Sequence, residues 1–497
     1  MKSRLFLLFL ALCFIQCGDF LEEQSQSEVR PSTVSDMEKI LESGAYPTQA
    51  AGRLFNRETE IFTDNVQSTI VDVGLVTRKE SESWRFRWDE AMFHEDGGGS
   101  DITFWSTPYE RIKGCNIVLE YTDEMDGSDV KKAHIKGEAY VLRGLYYYML
   151  VNFFGAPYNG GDPTTNLGVP LKLVTGVTDE KFKRNTVAEC YDQILKDILL
   201  GTQLMKENHE RQSNDILRLR YPTGYALLSR VYLHMNDWDK VISYADSVLD
   251  IQPQLLDLKS AYNASGSGVY HGNTRTEILW AMAETDGTTK DRDVIAPFIP
   301  SSDLLDLYLL YDVDGTTDGR MDDRGIGWFK WSSWDNPRVY RCVLKGYAAQ
   351  YWINAGIRTA EVYLNRAEAY IRKYMKSGNE AEARLALEDL NELRRHRLSA
   401  EYVDVAMDKF ANAEELLEFC LRERRRELCY EGNHRWFDLR RLGMPELTHV
   451  FLDNDNGYET TYTLRKNDGR YVLPIPGEVL LRNPNLANGV DNSTHNE

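Results

Sequence analysis

The segment Tyr225–Pro253 has the side-chain pattern of two short antiparallel helices. Its sequence is YALLSRVYLHMNDWDKVISYADSVLDIQP, with a turn at NDWD and a stop at Pro253. The two apolar faces are formed by Tyr225, Leu228, Ser229 and Tyr232, and then by Val241, Ala245 and Val248. This pattern fits the 34-residue tetratricopeptide repeat. Because one such unit cannot bury its apolar face alone, the segment predicts several stacked units and a mostly α fold.

Other segments repeat the pattern less regularly. A second copy begins at Tyr363, in YLNRAEAYIRKYMKSGNEAEARLALEDLNELRRHR, and a looser third joins Ala139–Gly155 to Thr186–Met205. VSDMEKILESGAY near the start could open a fourth. Long inserts, 56–110 and 256–350, interrupt the scaffold and are dense in Gly, Asp, Thr and Trp. Since long irregular inserts in a compact protein are usually functional, we expect them to carry short strands and a binding surface.

The first residues have the pattern of a bacterial lipoprotein signal. Lys2 and Arg4 precede the apolar run LFLLFLALCFI, which is too short to span a bilayer, and Cys17 follows it. This order predicts a signal peptide at 1–16 and a lipid on the sulfur of Cys17. The alternative is an ordinary secretory signal and a soluble secreted protein. No later segment reaches 18 consecutive apolar residues, so the lipid would be the only membrane anchor.

Charge and cysteine usage exclude other classes. The net charge is −19, which argues against nucleic acid as a partner because phosphate contact needs a basic surface. Beyond the leader, the cysteines are Cys115, Cys190, Cys342, Cys420 and Cys429. An odd number at scattered positions is neither a disulfide framework nor a metal pattern, so buried thiols are expected.

One stretch is locally basic. Positions 421–443 read LRERRRELCYEGNHRWFDLRRLG, with seven arginines. A helix from about Ala413, ending near Gly432, would place Arg424 on the same stripe as Leu417, Leu421 and Leu428. Interleaved acids allow i,i+3 pairs, namely Glu423 with Arg426 and Arg424 with Glu427. We therefore expect a partly buried arginine–carboxylate network. The alternatives are a phosphate groove and a metal site at Glu427, Glu431 and His434.

Four further motifs combine with this stretch. They are FWSTPYERIKGCNIVLE, with Trp105, Tyr109, Ile112 and Asn116; AYVLRGLYYYMLVNFFGAPY; RTAEVYLNRAEAY; and RYVLPIPGEVLLRNPNLANG. In order, and over nearly the whole chain, these segments resemble the SusD/RagB family of outer-membrane nutrient-binding lipoproteins. GDFLEE, after Cys17, is similar to the signal that exports such lipoproteins to the cell surface.

The resemblance implies one SusD-like domain over 17–497. Its expected parts are an N-terminal region with the first repeats (17–220), tetratricopeptide repeats (221–255 and 358–397), a ligand-face insert (256–350) and a C-terminal signature (398–497). It also implies a cell-surface lipoprotein that captures a glycan, or sometimes a peptide, and delivers it to a TonB-dependent SusC-like barrel. The four family repeats would face that barrel, and the inserts would bind the ligand.

Glycan binding needs flat apolar rings and planar hydrogen-bonding groups. The segment GRMDDRGIGWFKWSSWDNPRVY supplies both types, in Trp328, Trp331, Trp334, Asp335, Asn336 and Arg338. The alternative is that these tryptophans are structural. The segment SESWRFRWDEAMFHEDGGGSD alternates Trp84, Phe86 and Trp88 with arginines. Its period of two favours a half-buried strand, so Trp84 and Trp88 are second candidates whose alternative is sheet packing.

The sequence gives weaker support to two other functions, calcium binding and hydrolysis. DVDGTTDGRMDD has calcium-like spacing at Asp312, Asp314 and Asp318, with Asp323 twelfth, but it lacks the glycine at position six and the glutamate at twelve of an EF-hand. A solvated turn without cofactor or metal is expected there. The chain contains no GxSxG, HExxH, P-loop or zinc pattern, so we expect a binding protein and not a hydrolase. A tetratricopeptide interaction scaffold or a peptide importer lid remains the alternative.

Overall fold

A computed structural model describes residues 31–47, 57–93, 103–176, 179–212, 215–258, 269, 276–284, 297–311, 317–331, 340–343, 352–398 and 402–487. The helices, in chain order, are α1 Val34–Ile40, α2 Val73–Phe86, α3 Thr103–Tyr121, α4 Asp129–Phe154, α5 Val187–Glu207, α6 Tyr221–Met235, α7 Trp238–Leu249, α8 Ser302–Asp306, α9 Asp323–Trp328, α10 Thr359–Ser377, α11 Glu380–Arg395, α12 Ala413–Leu428, α13 His434–Arg441 and α14 Gly477–Arg482. Short 3-10 or π-helical segments lie at Leu41–Ala45, Arg57–Phe62, Thr122–Glu124, His209–Arg211, Met407–Lys409, Gly469–Tyr471 and Pro484–Leu486.

Antiparallel helix pairs form the scaffold. The pairs are α4 with α5, α6 with α7, and α10 with α11, and they stack through α5 on α6 and through α10 on α6 and α7. The apolar positions predicted for the repeat Tyr225–Pro253 are buried, Val241, Ala245 and Val248 completely so, except that Tyr225 is half-buried. The mostly helical, tetratricopeptide-like fold is therefore confirmed, including the looser pair α4–α5.

Glycines allow α4 and α5 to approach closely. A Cβ atom built on Gly201 would lie 2.5 Å from the carbonyl oxygen of Gly137, so neither position has room for a side chain. A capping box starts α5, in which Thr186 Oγ1 accepts from the Glu189 amide at 3.2 Å and Glu189 Oε2 accepts from the Thr186 amide at 2.9 Å. Local capping and close backbone contact together fix this pair.

The strands form two-stranded antiparallel ladders. In chain order they are β1 Val66–Ser68, β2 Ile278–Glu284, β3 Phe298–Pro300, β4 Leu309–Tyr311, β5 Thr317–Met321, β6 Phe329–Trp331, β7 Tyr340–Val343, β8 Trp352–Arg358, β9 Leu447–Leu452 and β10 Glu459–Leu464. The ladders are β1–β3, β2–β8, β4–β5, β6–β7 and β9–β10. Most of these strands belong to the two inserts, as the sequence predicts.

Two sequence-based expectations about local structure need correction. The helix of the arginine stretch begins at Ala413, as predicted, but ends at Leu428 and not near Gly432.

The segment Trp84–Trp88 is not a strand, because Trp84 and Phe86 lie in the last turn of α2. Trp88 follows with a positive φ of 53°. The alternating aromatic residues therefore lie at the end of a helix. The buried residues of α2 are Lys79, Ser83 and Phe86, and their spacing is that of a helix and not of a strand.

Candidate ligand-binding face

Glu427 on α12 is the centre of a buried ion-pair network. Its carboxylate accepts hydrogen bonds from Arg397 at 3.0 Å, Arg358 at 2.8 Å and Arg324 at 3.0 Å. None of the four residues is more than 1 % exposed. Burial raises the pKa of Glu427, but the three guanidinium groups outweigh it and hold that pKa well below its ordinary value. The predicted arginine–carboxylate network is confirmed, and it is structural.

The network extends into the second insert at two places. Arg324, at the start of α9, lies 2.7 Å from Glu423 on α12. Glu277, just before β2, is the second place: it pairs with Arg358, the last residue of β8, which also donates to Glu431 at 2.9 and 2.6 Å. Removing one buried partner would leave an unpaired charge, so these contacts fix both segments of the insert on the helical scaffold.

Of the two pairs predicted within α12, one forms. Arg426 lies 2.8 Å from Glu423. Arg424 instead donates to Asp438 on α13 at 2.7 Å, and Glu427 is occupied by arginines of other segments. Spacing along one helix identified possible partners, but buried groups on neighbouring elements decided which partner is used.

The two alternative readings of the arginine stretch receive no support. In the described part of the chain, no group of three or more His, Cys, Asp or Glu side chains has an arrangement suited to a metal ion. His434 opens α13, where its Nε2 lies 3.8 Å from Glu361, and Glu431 is bound by Arg358. Arg422, whose side chain is 56 % exposed, points away from the network and pairs only loosely with Glu418 at 3.8 Å. The other arginines donate inward, so they form no open phosphate groove.

The same stretch also clamps the two inserts beside each other. Arg435 donates to both carboxylate oxygens of Asp64, just before β1, at 2.7 and 2.6 Å. Burial raises the pKa of Asp64, but Arg435 outweighs it and the pKa falls to about 2. Arg425 donates to Asp303 of α8, just after β3, at 2.6 Å. One helix–turn–helix segment therefore positions a strand from each insert.

Six strands lie side by side on this part of the molecule, in the order β10, β9, β1, β3, β7 and β6. Ladders join the outer pairs and the central pair β1–β3, in which Val66 lies opposite Pro300. Between them, β9 adjoins β1, where the Leu452 amide donates to Ser68 Oγ at 3.1 Å, and β7 adjoins β3. This strand row combines both aromatic-rich inserts with the C-terminal hairpin, so it is the candidate ligand-binding face.

Two of the predicted ligand contacts are wrong. Trp88 and Trp328 are both completely buried, so neither can offer a ring face to a sugar. Trp88 donates from Nε1 to the Phe62 carbonyl oxygen at 3.0 Å and stacks on His449, with 4.1 Å between ring centroids. Trp328, at the end of α9, belongs to the hydrophobic core. For these two residues the structural alternative is the correct one.

Trp84 and Trp331 stay candidates. Trp84 is half-buried, and the guanidinium of Arg87 lies 4.0 Å from its ring centroid. Arg87 is held in turn by Asp89 at 3.2 Å. Trp331 ends β6 opposite Tyr340 of β7. Four predicted contacts, Trp334, Asp335, Asn336 and Arg338, fall between β6 and β7 in sequence and lie outside the described residues.

Other predictions also fall outside the described residues or stay predictions. Cys17 and the rest of the leader lie outside the described residues, as do Asp312 and Asp314 of the calcium-like loop. Asp318 lies in β5 and Asp323 opens α9. Within the described ranges, no helix combines the length and apolar character needed to cross a bilayer.

Sequence reasoning missed the hairpin turn at Asp453–Tyr458. The side chain of Tyr458 is exposed there, and Val73 and Ile70 lie exposed on the segment that adjoins the turn. The sequence signal was NDNGY, a turn-forming cluster followed directly by an aromatic residue.

Comparison with known proteins agrees with this architecture. A family model described as "Starch-binding associating with outer membrane", SusD-like, matches residues 19–233, and the SusD family model matches residues 311–491. The chain is 22 % identical to SusD-like protein P2 of Formosa agariphila, over 98 % of each protein.

Solved structures share the fold at low identity. A putative sugar-binding protein of Bacteroides vulgatus superposes with a TM-score of 0.69 at 22 % identity, covering 93 % of this chain and 99 % of that one. A SusD-like carbohydrate-binding protein of the same organism gives 0.67 at 20 %, covering 92 % and 97 %. A SusD superfamily protein of Bacteroides thetaiotaomicron gives 0.66 at 23 %, covering 92 % and 99 %. Since SusD models match both its N-terminal and its C-terminal parts, and a SusD-like relative aligns along its length, the chain belongs to the SusD/RagB family.

Proposed function

We propose that this protein captures an oligo- or polysaccharide at the cell surface and delivers it to a SusC-like, TonB-dependent barrel. The observation that carries the proposal is the strand row, which brings the two aromatic-rich inserts together through the β1–β3 ladder. Family membership supports the same function, because the similar proteins of Bacteroides vulgatus are described as carbohydrate-binding and sugar-binding.

Trp84 and Trp331 are the proposed ring contacts. A half-buried indole with a cation on one face is rigid and loses little freedom when a sugar packs on it. Trp334, Asp335, Asn336 and Arg338 stay predictions from the sequence. The protein is proposed to be a binding protein and not an enzyme.

The proposed location is the outer membrane, with a lipid on Cys17 and the body facing the cell exterior. The leader sequence supports this, as does the outer-membrane association in the description of the matching family model. Replacing Cys17 by Ala should release the protein from the membrane fraction when the barrel partner is absent. Retention of that variant in the membrane would contradict lipid anchoring.

Affinity electrophoresis tests the ligand. The mature protein is run in native gels that contain amylopectin, xylan, pectin, laminarin or mannan, and the products are assayed for new reducing ends. Retardation by one polysaccharide without hydrolysis supports the proposal. Hydrolysis would favour an enzyme, and binding of peptides with no glycan retardation would favour the importer lid or interaction scaffold.

The partner needs its own experiment. A TonB-dependent barrel of the same cell should co-purify from solubilised outer membranes with a tagged, lipidated form of this protein. The Cys17→Ala form provides the control for anchoring, since a protein-mediated contact does not require the lipid. A tagged protein that recovers no barrel would contradict the delivery step but not glycan capture.

A further inference from the structure

The turn between β9 and β10 is held in one conformation by its own side chains. Asp453 Oδ1 accepts from the amides of Asp455 at 3.0 Å and Asn456 at 3.1 Å, and Asn456 Oδ1 accepts from the Tyr458 amide at 2.8 Å. Gly457, with a φ of 70°, supplies the left-handed residue that closes the turn. The Tyr458 side chain therefore leaves the turn from a fixed backbone.

A second set of contacts fastens the turn to the segment before α2. Asn454 accepts from the Val71 amide at 2.8 Å and donates to the Val71 carbonyl oxygen at 2.9 Å. Lys79, only 1 % exposed, donates to the carbonyl oxygens of Thr69 at 2.6 Å and Leu452 at 2.5 Å. Burial lowers the pKa of Lys79, with Asp453 opposing. The first half of the turn is thus anchored to α2 and to the segment that joins β1 to α2.

Three groups of this turn are available to a ligand: the exposed ring of Tyr458 and the polar groups of Asn456 and Asp455. Tyr458 is 73 % exposed. In the described part of the chain, neither Asn456 Nδ2 nor the Asp455 carboxylate makes a hydrogen bond or ion pair, although the opposite end of each residue is fixed in the turn. An exposed aromatic ring beside a planar donor and a planar acceptor is the combination that recognises a pyranose, whose C–H face packs on the ring while its hydroxyls bond at the edge.

We infer that Tyr458, Asn456 and Asp455 form a second glycan-contact site at the β9–β10 end of the strand row. It rests on the proposed function and adds a subsite to it. The hairpin β6–β7, with Trp331, lies at the opposite end of the row. Since adjacent strands are about 4.8 Å apart, a ligand that touches both ends spans on the order of 20 Å. The site therefore takes part only when the glycan is several sugar units long.

Isothermal titration with the polysaccharide that retards the wild type, and with a disaccharide and a heptasaccharide from it, tests the inference. Tyr458→Ala should bind the polysaccharide and the heptasaccharide about tenfold more weakly, a loss of about 1.4 kcal/mol, and the disaccharide unchanged. Tyr458→Phe keeps the ring and should stay within about twofold of the wild type. Tyr121→Ala removes a ring that is 38 % exposed at the end of α3, away from the row, and should change nothing.

The outcomes separate this inference from the proposed function. A wild type that binds some glycan, with Tyr458→Ala binding every chain length equally well, overturns the subsite and leaves glycan capture standing. Equal loss on disaccharide and heptasaccharide overturns the length dependence. A wild type that binds none of the polysaccharides overturns glycan capture and the subsite with it. Circular dichroism and the thermal midpoint of each variant show whether a change in affinity reflects loss of folding.

Discussion

Arg358 Nη1 lies 2.8 Å from Glu427 Oε1, and both residues are 1 % exposed or less. This contact joins β8, which directly follows the second insert, to a helix of the C-terminal signature. The insert is therefore fixed at its exit from the scaffold by charge pairing as well as by apolar packing.

Replacing Glu427 by Gln tests the network with a change of charge at nearly constant shape. Three guanidinium groups would lose their shared anion, so we expect the free energy of unfolding to fall by about 3–5 kcal/mol. Chemical denaturation measures it. Glu380→Gln is the matched control, because the pair of Glu380 with Arg384 is 67 % and 69 % exposed and should contribute no more than about 1 kcal/mol. Equal effects of the two substitutions would contradict the structural role of the network.

Stability should decline with acid in two stages. Burial lowers the pKa of His434 from 6.5 to about 4, so the unfolded chain binds the proton first and stability falls as the pH drops from about 6.5 towards 4. Burial raises the pKa of Glu361, but Arg230 and His434 outweigh it and the value falls from 4.5 to about 2. Its contribution is present above about pH 4.5 and is lost towards pH 2.

Denaturant midpoints between pH 7.5 and 3 measure both stages. In His434→Gln the decline between pH 6.5 and 4 should be shallower, because the proton uptake of that ring on unfolding is removed. The buried His234, whose pKa is also lowered by burial, leaves a residual slope. A midpoint independent of pH from 7.5 to 4 in the wild type would contradict this prediction.

Trp88→Ala should act on stability and not directly on ligand contact. The indole fills a buried site and donates to the Phe62 carbonyl oxygen, so its removal should cost about 3–5 kcal/mol. Trp84→Ala should cost less, because Trp84 is half-buried. Thermal unfolding measured beside glycan affinity distinguishes the two. A Trp88→Ala protein of wild-type stability with lost affinity would restore Trp88 as a ligand contact.

Gly201→Ala probes the contact between α4 and α5. The added methyl group would lie 2.5 Å from the Gly137 carbonyl oxygen, which requires the helices to separate and should cost about 1–3 kcal/mol. Gly74→Ala is the control, since nothing lies within 4 Å of the new Cβ atom in the first turns of α2. That change should leave stability unaltered or raise it by up to about 1 kcal/mol. A neutral Gly201→Ala would mean that the two helices are less closely packed.

The sequence predicted the scaffold well because helical repeats are local. Spacing within a single helix was enough to predict three features: the buried small residue Ser229, the start of α12 at Ala413 and the inward position of Arg424. Partners across the fold do not follow from spacing. Arg424 could not be assigned to Asp438 in advance, nor Arg435 to Asp64, because those pairs depend on how separate segments pack.

The candidate site was harder to predict than the scaffold. Trp328 stands among Gly, Asp and Arg, which favoured exposure, yet α9 turns it into the core. The alternation of aromatic residues around Trp88 predicted a strand, but the same alternation occurs here at the end of a helix. Tyr458 gave only a short turn signal, although its side chain is 73 % exposed. Composition identifies side chains suited to sugars, but only packing decides which of them reach solvent.

Ser301 Oγ donates to the Asp64 carbonyl oxygen across 237 positions of the chain. The β1–β3 ladder is thus a long-range contact of the fold, and nascent β1 must wait until β3 has been synthesised. Such long-range pairing is slow, and an uncovered strand edge can pair with other chains meanwhile. If the protein is exported as proposed, the cell needs to hold the chain unfolded, or shield it with a chaperone, until β3 has been synthesised.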